Sequence, residues 1–226
     1  MHILIIVLAV ALLLYGPQWW AKRVFSHYQQ GPPLDGTAAE LVQHLAERYQ
    51  LTQLTVEVTD LGDHYDPLSK TVRLLAEHYD SSDLTSITIA AHEFGHALQH
   101  HNHEVGLRLR TGLAKLAGLI EKMGSLFFIL APILALITRT PSSGISLFVI
   151  ALASMGLATL VHIVTLPVEF DASFNKALPI LKQGYVPAEQ IPGAKRILRA
   201  AALTYVSASL ASLLNIGRWL ALLKRR

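Results

Sequence analysis

Near the middle of the chain stands His92-Glu93-Phe94-Gly95-His96. On a helix, the i, i+4 spacing puts the two imidazoles on one face, about 6 Å apart at Cβ, which suits two ligands of a single Zn2+ ion. Glu93 is offset around the helix, so its carboxylate reaches a water on such an ion rather than the ion itself. Zinc lowers the pKa of that water to about 7. Glu93 is then placed to accept the proton and return it to a leaving amine. The small residues Ala90, Ala91, Gly95 and Ala97 keep the helix slim where other elements must approach. His100 repeats the spacing once more, but about 12 Å of helical rise separates it from His92, which makes it a surface residue. Gln99 and Asn102 stand where the extended metzincin motif needs Gly and His, and exclude that class.

A hydrolytic zinc takes three protein ligands and keeps one position open. Downstream, 167–173 reads Pro-Val-Glu-Phe-Asp-Ala-Ser, which makes Glu169 and Asp171 the acidic candidates. Two positions apart on a helix they point to nearly opposite sides, so only one can bind. An oxyanion needs a donor besides the metal; Tyr65, His64, Tyr79 and Tyr205 are candidates, each more readily explained as a core or surface residue. Asp63 and Asp66 are read as turn-fixing residues.

The elements that must position these groups are unusually apolar. The chain has 226 residues, 52% hydrophobic and 15% charged, with mean hydropathy +0.39. A net charge of +3 is too balanced for a nucleic-acid binder, and the absence of cysteine removes disulfides, thiolate zinc sites and thiol nucleophiles. Residues 1–20 are long enough for a membrane anchor, closed by Trp19-Trp20 and Lys22-Arg23. Residues 123–138 and 145–168 read as a second and third span joined by a tight loop, and the Ala- and Ser-rich stretch from Arg199 to Arg218 as a fourth candidate. Between the first and second spans the polarity is ordinary. A helix is expected over 37–49, strands over 54–60 and 70–75 as a hairpin around the turn-rich 62–67, and a helix from the Ser81-Ser82-Asp83 cap to about His101. Most Lys and Arg near the span ends, among them Lys22, Arg23, Lys176 and Lys182, fall on one face, which places the polar region on the cytoplasmic side.

Several segments together resemble the YugP-type bacterial membrane zinc metallopeptidases. They are His92-Glu-Phe-Gly-His-Ala-Leu-Gln99, Gly62-Asp-His-Tyr-Asp-Pro67 with Lys70-Thr-Val-Arg-Leu74, Leu166-Pro-Val-Glu-Phe-Asp-Ala-Ser173, and the stretch 193–206. The glutamate block is also similar to that of HtpX-type membrane proteases, where Glu169 falls on the third ligand and Ser173 stands in place of a supporting aspartate. The resemblance implies a gluzincin-like centre of His92, His96 and Glu169 holding Zn2+, with Glu93 as base; Asp171, Tyr65, His64 and Tyr205 stand beside it as candidates, read from the residues themselves, for supporting or oxyanion roles. It also implies residues 70–75 as an edge strand that pairs with substrate.

The expected fold class is an α-helical membrane protein with three to four transmembrane helices and a small α+β zincin-like domain. Its expected divisions are an N-terminal anchor over 1–21, the zincin-like domain over 22–122, a transmembrane hairpin over 123–168, a third-ligand segment over 169–196 and a C-terminal helix over 197–226. The expected protein is a multi-pass enzyme of the cell membrane that cleaves membrane or juxtamembrane proteins. Its partners are the lipid bilayer and a protein or peptide substrate, with no nucleic acid; the sequence does not fix the oligomeric state. Two rivals remain at this level. One is a non-catalytic metal-binding scaffold. The other is an intramembrane site-2-like protease, for which the stretch around the motif is too polar and too short.

Overall fold

The computed structural model describes residues 2–213, with side chains placed except at 2–11, 13–14, 114, 121, 125, 128, 141, 151–152, 155–163 and 205–213. In chain order the elements are α1 (His2–Gln29), α2 (Ala38–Arg48), β1 (Thr55–Thr59), β2 (His64–Asp66), β3 (Thr71–Leu75), α3 (Ala76–Tyr79), α4 (Leu84–His101), α5 (Val105–Thr138), α6 (Pro141–Phe170), a π-helical segment Asp171–Ala177, α7 (Leu178–Ile180), a second π-helical turn Leu181–Tyr185, and α8 (Ile191–Leu213). Two compact units result. The first takes the chain up to Arg108 together with Pro167–Thr204; the second takes Leu109–Leu166 and the described residues from Tyr205 on.

In the first unit, local signals set the helix starts. Thr37 and Glu40 form a reciprocal capping box at α2. Asp83 caps α4 by accepting from the Ser86 backbone N–H at 3.0 Å. The core gathers Leu41, Val42 and Leu45 of α2, Val72 and Leu74 of β3, Phe94 and Leu98 of α4, Leu181 of the second π-helical turn, and Ile197 and Leu198 of α8. The buried Thr85 hydroxyl donates to the Phe25 carbonyl at 3.0 Å and ties α4 to α1.

The sheet is not the expected hairpin of two strands. Its order is β1-β3-β2, with β1 parallel and β2 antiparallel to β3. The turn-rich composition of 62–67 hid β2, because its aspartates work at the ends of the strand rather than through its middle. Asp66 reverses the chain after β2 by accepting from the Leu68 N–H at 2.9 Å and the Ser69 hydroxyl at 2.9 Å. Asp63 accepts from the Leu75 N–H at 2.8 Å and pairs with His78 Nδ1 at 2.8 Å. Residues 70–75 therefore lie in the centre of the sheet, not at its edge.

The expectation of three to four transmembrane helices is also corrected. Among the described residues one helix, Val105–Thr138, is long and apolar enough to cross a membrane. The N-terminal stretch belongs to α1, which continues to Gln29, and Ala21 and Val24 near its C-terminal end enter the core. The Ala-rich stretch read as a fourth crossing belongs to a helix that starts at Ile191 and buries Ala200 in the same core; its residues past 213 lie outside the described ones. The third expected span falls in α6, where the side chains of 151–152 and 155–163 are likewise outside the description. Composition alone cannot tell an apolar stretch that packs on a protein core from one that faces lipid. Within the second unit, a Cβ on Gly144 would lie 2.7 Å from Ala135 Cβ and 2.9 Å from the Ala131 carbonyl oxygen. The α5–α6 hairpin thus closes on small residues.

The buried His78–Asp63 pair has a pH signature. Burial opposes the charged imidazole, but hydrogen bonding and attraction from Asp63 outweigh it and raise the His78 pKa above 6.5. A pKa raised on folding contributes stability that is complete below the unfolded value and fades as pH climbs through the folded one. In urea unfolding from about pH 5 to about pH 9, the midpoint gap between wild type and His78→Asn should be largest at the acidic end and shrink above neutrality.

Candidate metal centre

Helix α4 holds His92 and His96 one turn apart on a face turned into the core, 5% and 2% exposed, with Glu93 beside them at 4%. Their ring centroids are 4.9 Å apart. The third group comes from the last turn of α6. Glu169, 1% exposed, brings Oε2 to 3.5 Å from His92 Nε2 and 3.3 Å from His96 Nε2. What allows this approach is Gly95: a Cβ there would sit 2.7 Å from the Ala172 carbonyl oxygen. The backbone after Glu169 thus lies directly on α4. It does so in the π-helical segment Asp171–Ala177, a wide turn of the kind that often re-aims side chains at functional sites.

The donor set fits a metal ion. Both Nε2 atoms are buried with no hydrogen-bond partner, yet both face the same carboxylate. Zinc bonds of 2.0–2.1 Å in tetrahedral geometry separate neighbouring ligand atoms by about 3.3 Å, close to the two N···O separations just given. One ligand atom from each of His92, His96 and Glu169 lies within 4.8 Å of the others, and these three are the cluster of this kind among the described residues.

The outer nitrogens are held as a metal ligand requires. His96 Nδ1 donates to Gln99 Oε1 at 2.9 Å. The Gln99 amide cannot turn round, because its Nε2 donates to the Val168 carbonyl at 3.0 Å and to Asp171 Oδ2 at 2.8 Å. The proton is thereby kept on His96 Nδ1, and the Nε2 lone pair faces the cluster. His92 Nδ1 meets Ser173 Oγ at 3.0 Å. Asp171 also accepts from Asn175 at 2.8 Å. Burial works against its charge, but Gln99, Asn175 and Lys176 outweigh burial and hold its carboxyl below the usual range.

Of the other sequence candidates, Asp171 reaches the cluster only through Gln99. Tyr65 is buried with its hydroxyl 2.7 Å from His100 Nδ1, and His64 Nδ1 donates to the Gly62 carbonyl at 2.7 Å; neither contacts the three clustered groups. Tyr79 is half-buried and packs on the core. The Tyr205 side chain lies outside the described residues. Two positions escaped sequence reasoning as supports of the cluster. Gln99 entered only as the residue that breaks the metzincin motif, although its i+3 spacing from His96 signals a neighbour on the same face. Ser173 entered only as a replaced aspartate.

Two substitutions test this framework. Gly95→Ala should force α4 and residue 172 apart, lowering stability by about 1–3 kcal/mol and reducing bound zinc, read by chemical unfolding and metal analysis. Gln99→Leu should weaken zinc affinity by about 10- to 100-fold, measured by competition with a chelator.

The model of the family described as "putative neutral zinc metallopeptidase" matches residues 3–224. The protein named "Putative membrane protease YugP" of Bacillus subtilis (strain 168) is 31% identical over 223 residues, covering 96% of this chain and 95% of that protein. No solved structure gives a significant match. Matched over nearly its whole length, the chain belongs to the neutral zinc metallopeptidase family.

Proposed function

We propose that this protein is a membrane-associated zinc endopeptidase of gluzincin type, with His92, His96 and Glu169 as metal ligands and Glu93 as the proton-transferring residue. The observation that carries the reading is the pair of buried Nε2 atoms, without hydrogen-bond partners, facing one carboxylate oxygen at 3.3 and 3.5 Å. Bound there, zinc would supply a Lewis acid for the scissile carbonyl and make water nucleophilic at neutral pH.

The chain's own residues do the rest. Glu93, next to His92 in sequence and on the adjoining side of α4, accepts the water proton and delivers it to the leaving amine. Gln99 and Ser173 hold the imidazoles in orientation, and the charge of Asp171 reaches His96 through the Gln99 amide. Burial of all four central side chains keeps competing water away and strengthens each electrostatic interaction. A purely structural zinc would close its fourth position with another protein ligand. Asp171, the nearest acidic candidate in sequence, is already engaged by Gln99 and Asn175, which favours the hydrolytic reading over a scaffold.

The membrane part of the proposal rests on the apolar helix Val105–Thr138 and on the relative named a membrane protease. Arg108, Arg110 and Lys115 lie in its N-terminal half, Lys122 at its midpoint, and Arg139 follows its other end. That asymmetry supports a cytoplasmic N-terminal end of the helix and a cytoplasmic metal centre. Membrane or juxtamembrane proteins are the substrates this location offers.

Glu93→Gln tests the mechanism in the full-length protein in detergent. Zinc content should stay at the wild-type level, while cleavage of a quenched unfolded protein substrate falls by about 10²- to 10⁴-fold. Equal cleavage by both forms would overturn proton transfer by Glu93.

A further inference from the structure

Glu93, Ala97, His100 and His101 follow one another along one side of α4 at i, i+4 and i+3/i+4 spacing. One turn past Glu93 that side opens into a cavity of about 340 Å³, lined among others by Gln50, Tyr65, Lys70, His100, His101 and His103 and by no acidic residue. None of the three clustered side chains lines it.

The backbone around this cavity is unusual. Four non-glycine residues among those described have positive φ: Gln50 (58°), Lys70 (54°), His103 (54°) and Arg139 (55°). The first three all line the cavity. At α2 the Leu51 N–H bonds to the Ala46 carbonyl and the Gln50 N–H to that of Glu47; at α4 the Glu104 N–H bonds to the Gln99 carbonyl and the His103 N–H to that of His100. Both helices thus end in the Schellman arrangement, in which glycine is the ordinary residue at the left-handed position. Here Gln50 and His103 occupy those positions, and Lys70 takes the same conformation at the β2–β3 turn. Left-handed backbone disfavours any residue with a Cβ. Three such residues converge on one cavity, and backbones of this kind cluster at ligand-binding sites.

What they offer is donors and positive charge. The Lys70 ammonium has the Gln53 side-chain oxygen as a neutral partner. Burial pushes the Tyr65 phenol up to about 12, so it stays protonated, and its hydroxyl shares a hydrogen bond of 2.7 Å with His100 Nδ1. We propose that this cavity is a substrate subsite that takes an acidic side chain of the peptide. His100 lies four residues beyond His96, about 6 Å along the helix, and an extended peptide advances about 3.3–3.6 Å per residue. The recognised residue is therefore about two positions from the scissile bond. This rests on the peptidase reading above, and the experiment separates the two.

Matched quenched peptides carrying Glu or Gln two positions to either side of the cleaved bond are compared on the full-length protein in detergent. Glu should be preferred over Gln by about tenfold in kcat/KM, the scale of one charge-assisted hydrogen bond. In the Lys70→Gly/His103→Gly double variant the preference should fall to about one, with thermal unfolding unchanged or higher because glycine suits both backbones. A wild type that cuts both peptides equally overturns the subsite and leaves the peptidase reading intact. Should neither peptide be cut, binding of the same pair to Glu93→Gln decides: tighter binding of the Glu peptide supports the subsite without hydrolysis, and equal binding overturns it. Phosphatidylglycerol vesicles that bind the wild type more tightly than the double variant, with no Glu/Gln difference in peptide binding, would make the cavity a headgroup site and also overturn the proposal.

Discussion

A carboxylate and two imidazoles share a space from which water is almost excluded, and the first unit of the chain is organised around that constraint. Taking a carboxylate out of water costs several kcal/mol even after relaxation. Uncharged imidazoles presenting lone pairs do not offset it; a cation between the three does. With its Nδ1 proton held by Gln99, neutral His96 presents a lone pair rather than a donor at Nε2. The arrangement is poor as an ion pair and good as a cage. A metal held there would stabilise this unit, because a ligand that binds only the folded state stabilises it.

The geometry rests on a close backbone approach rather than on long side chains. With glycine at 95, the segment after Glu169 sits against α4 at a distance no side chain allows. The last turn of α6 and the π-helical segment after it give three residues of one short stretch separate partners: Glu169 in the cluster, Asp171 on Gln99, and Ser173 on His92. In a regular α-helix, residues two apart point to nearly opposite sides. That rule separates Glu169 from Asp171 but does not show that Asp171 is tied to His96 through the Gln99 amide.

What the sequence made legible was local. The imidazole pair on one face, the Asp83 cap and the extent of α4 all follow from spacing within a few residues. What it hid depended on partners far along the chain. Strand β2 looked like a turn because Asp63 and Asp66 are turn-formers by composition, and their distant partners, Leu75, His78 and Arg73, are invisible to a local reading. The count of membrane spans failed for a related reason: Ala200 is as apolar against a core as against lipid, and only packing distinguishes the two. The roles of Gln99 and Ser173 needed the fold itself.

The cluster draws on two stretches of chain separated by the whole of α5 and most of α6. During synthesis the ribosome releases the imidazole pair long before the carboxylate, so a nascent chain that has emerged only through α5 holds half a cage. Domains acquire structure in the order in which they are made. The three-residue cluster is thus completed only once the intervening hairpin has been made.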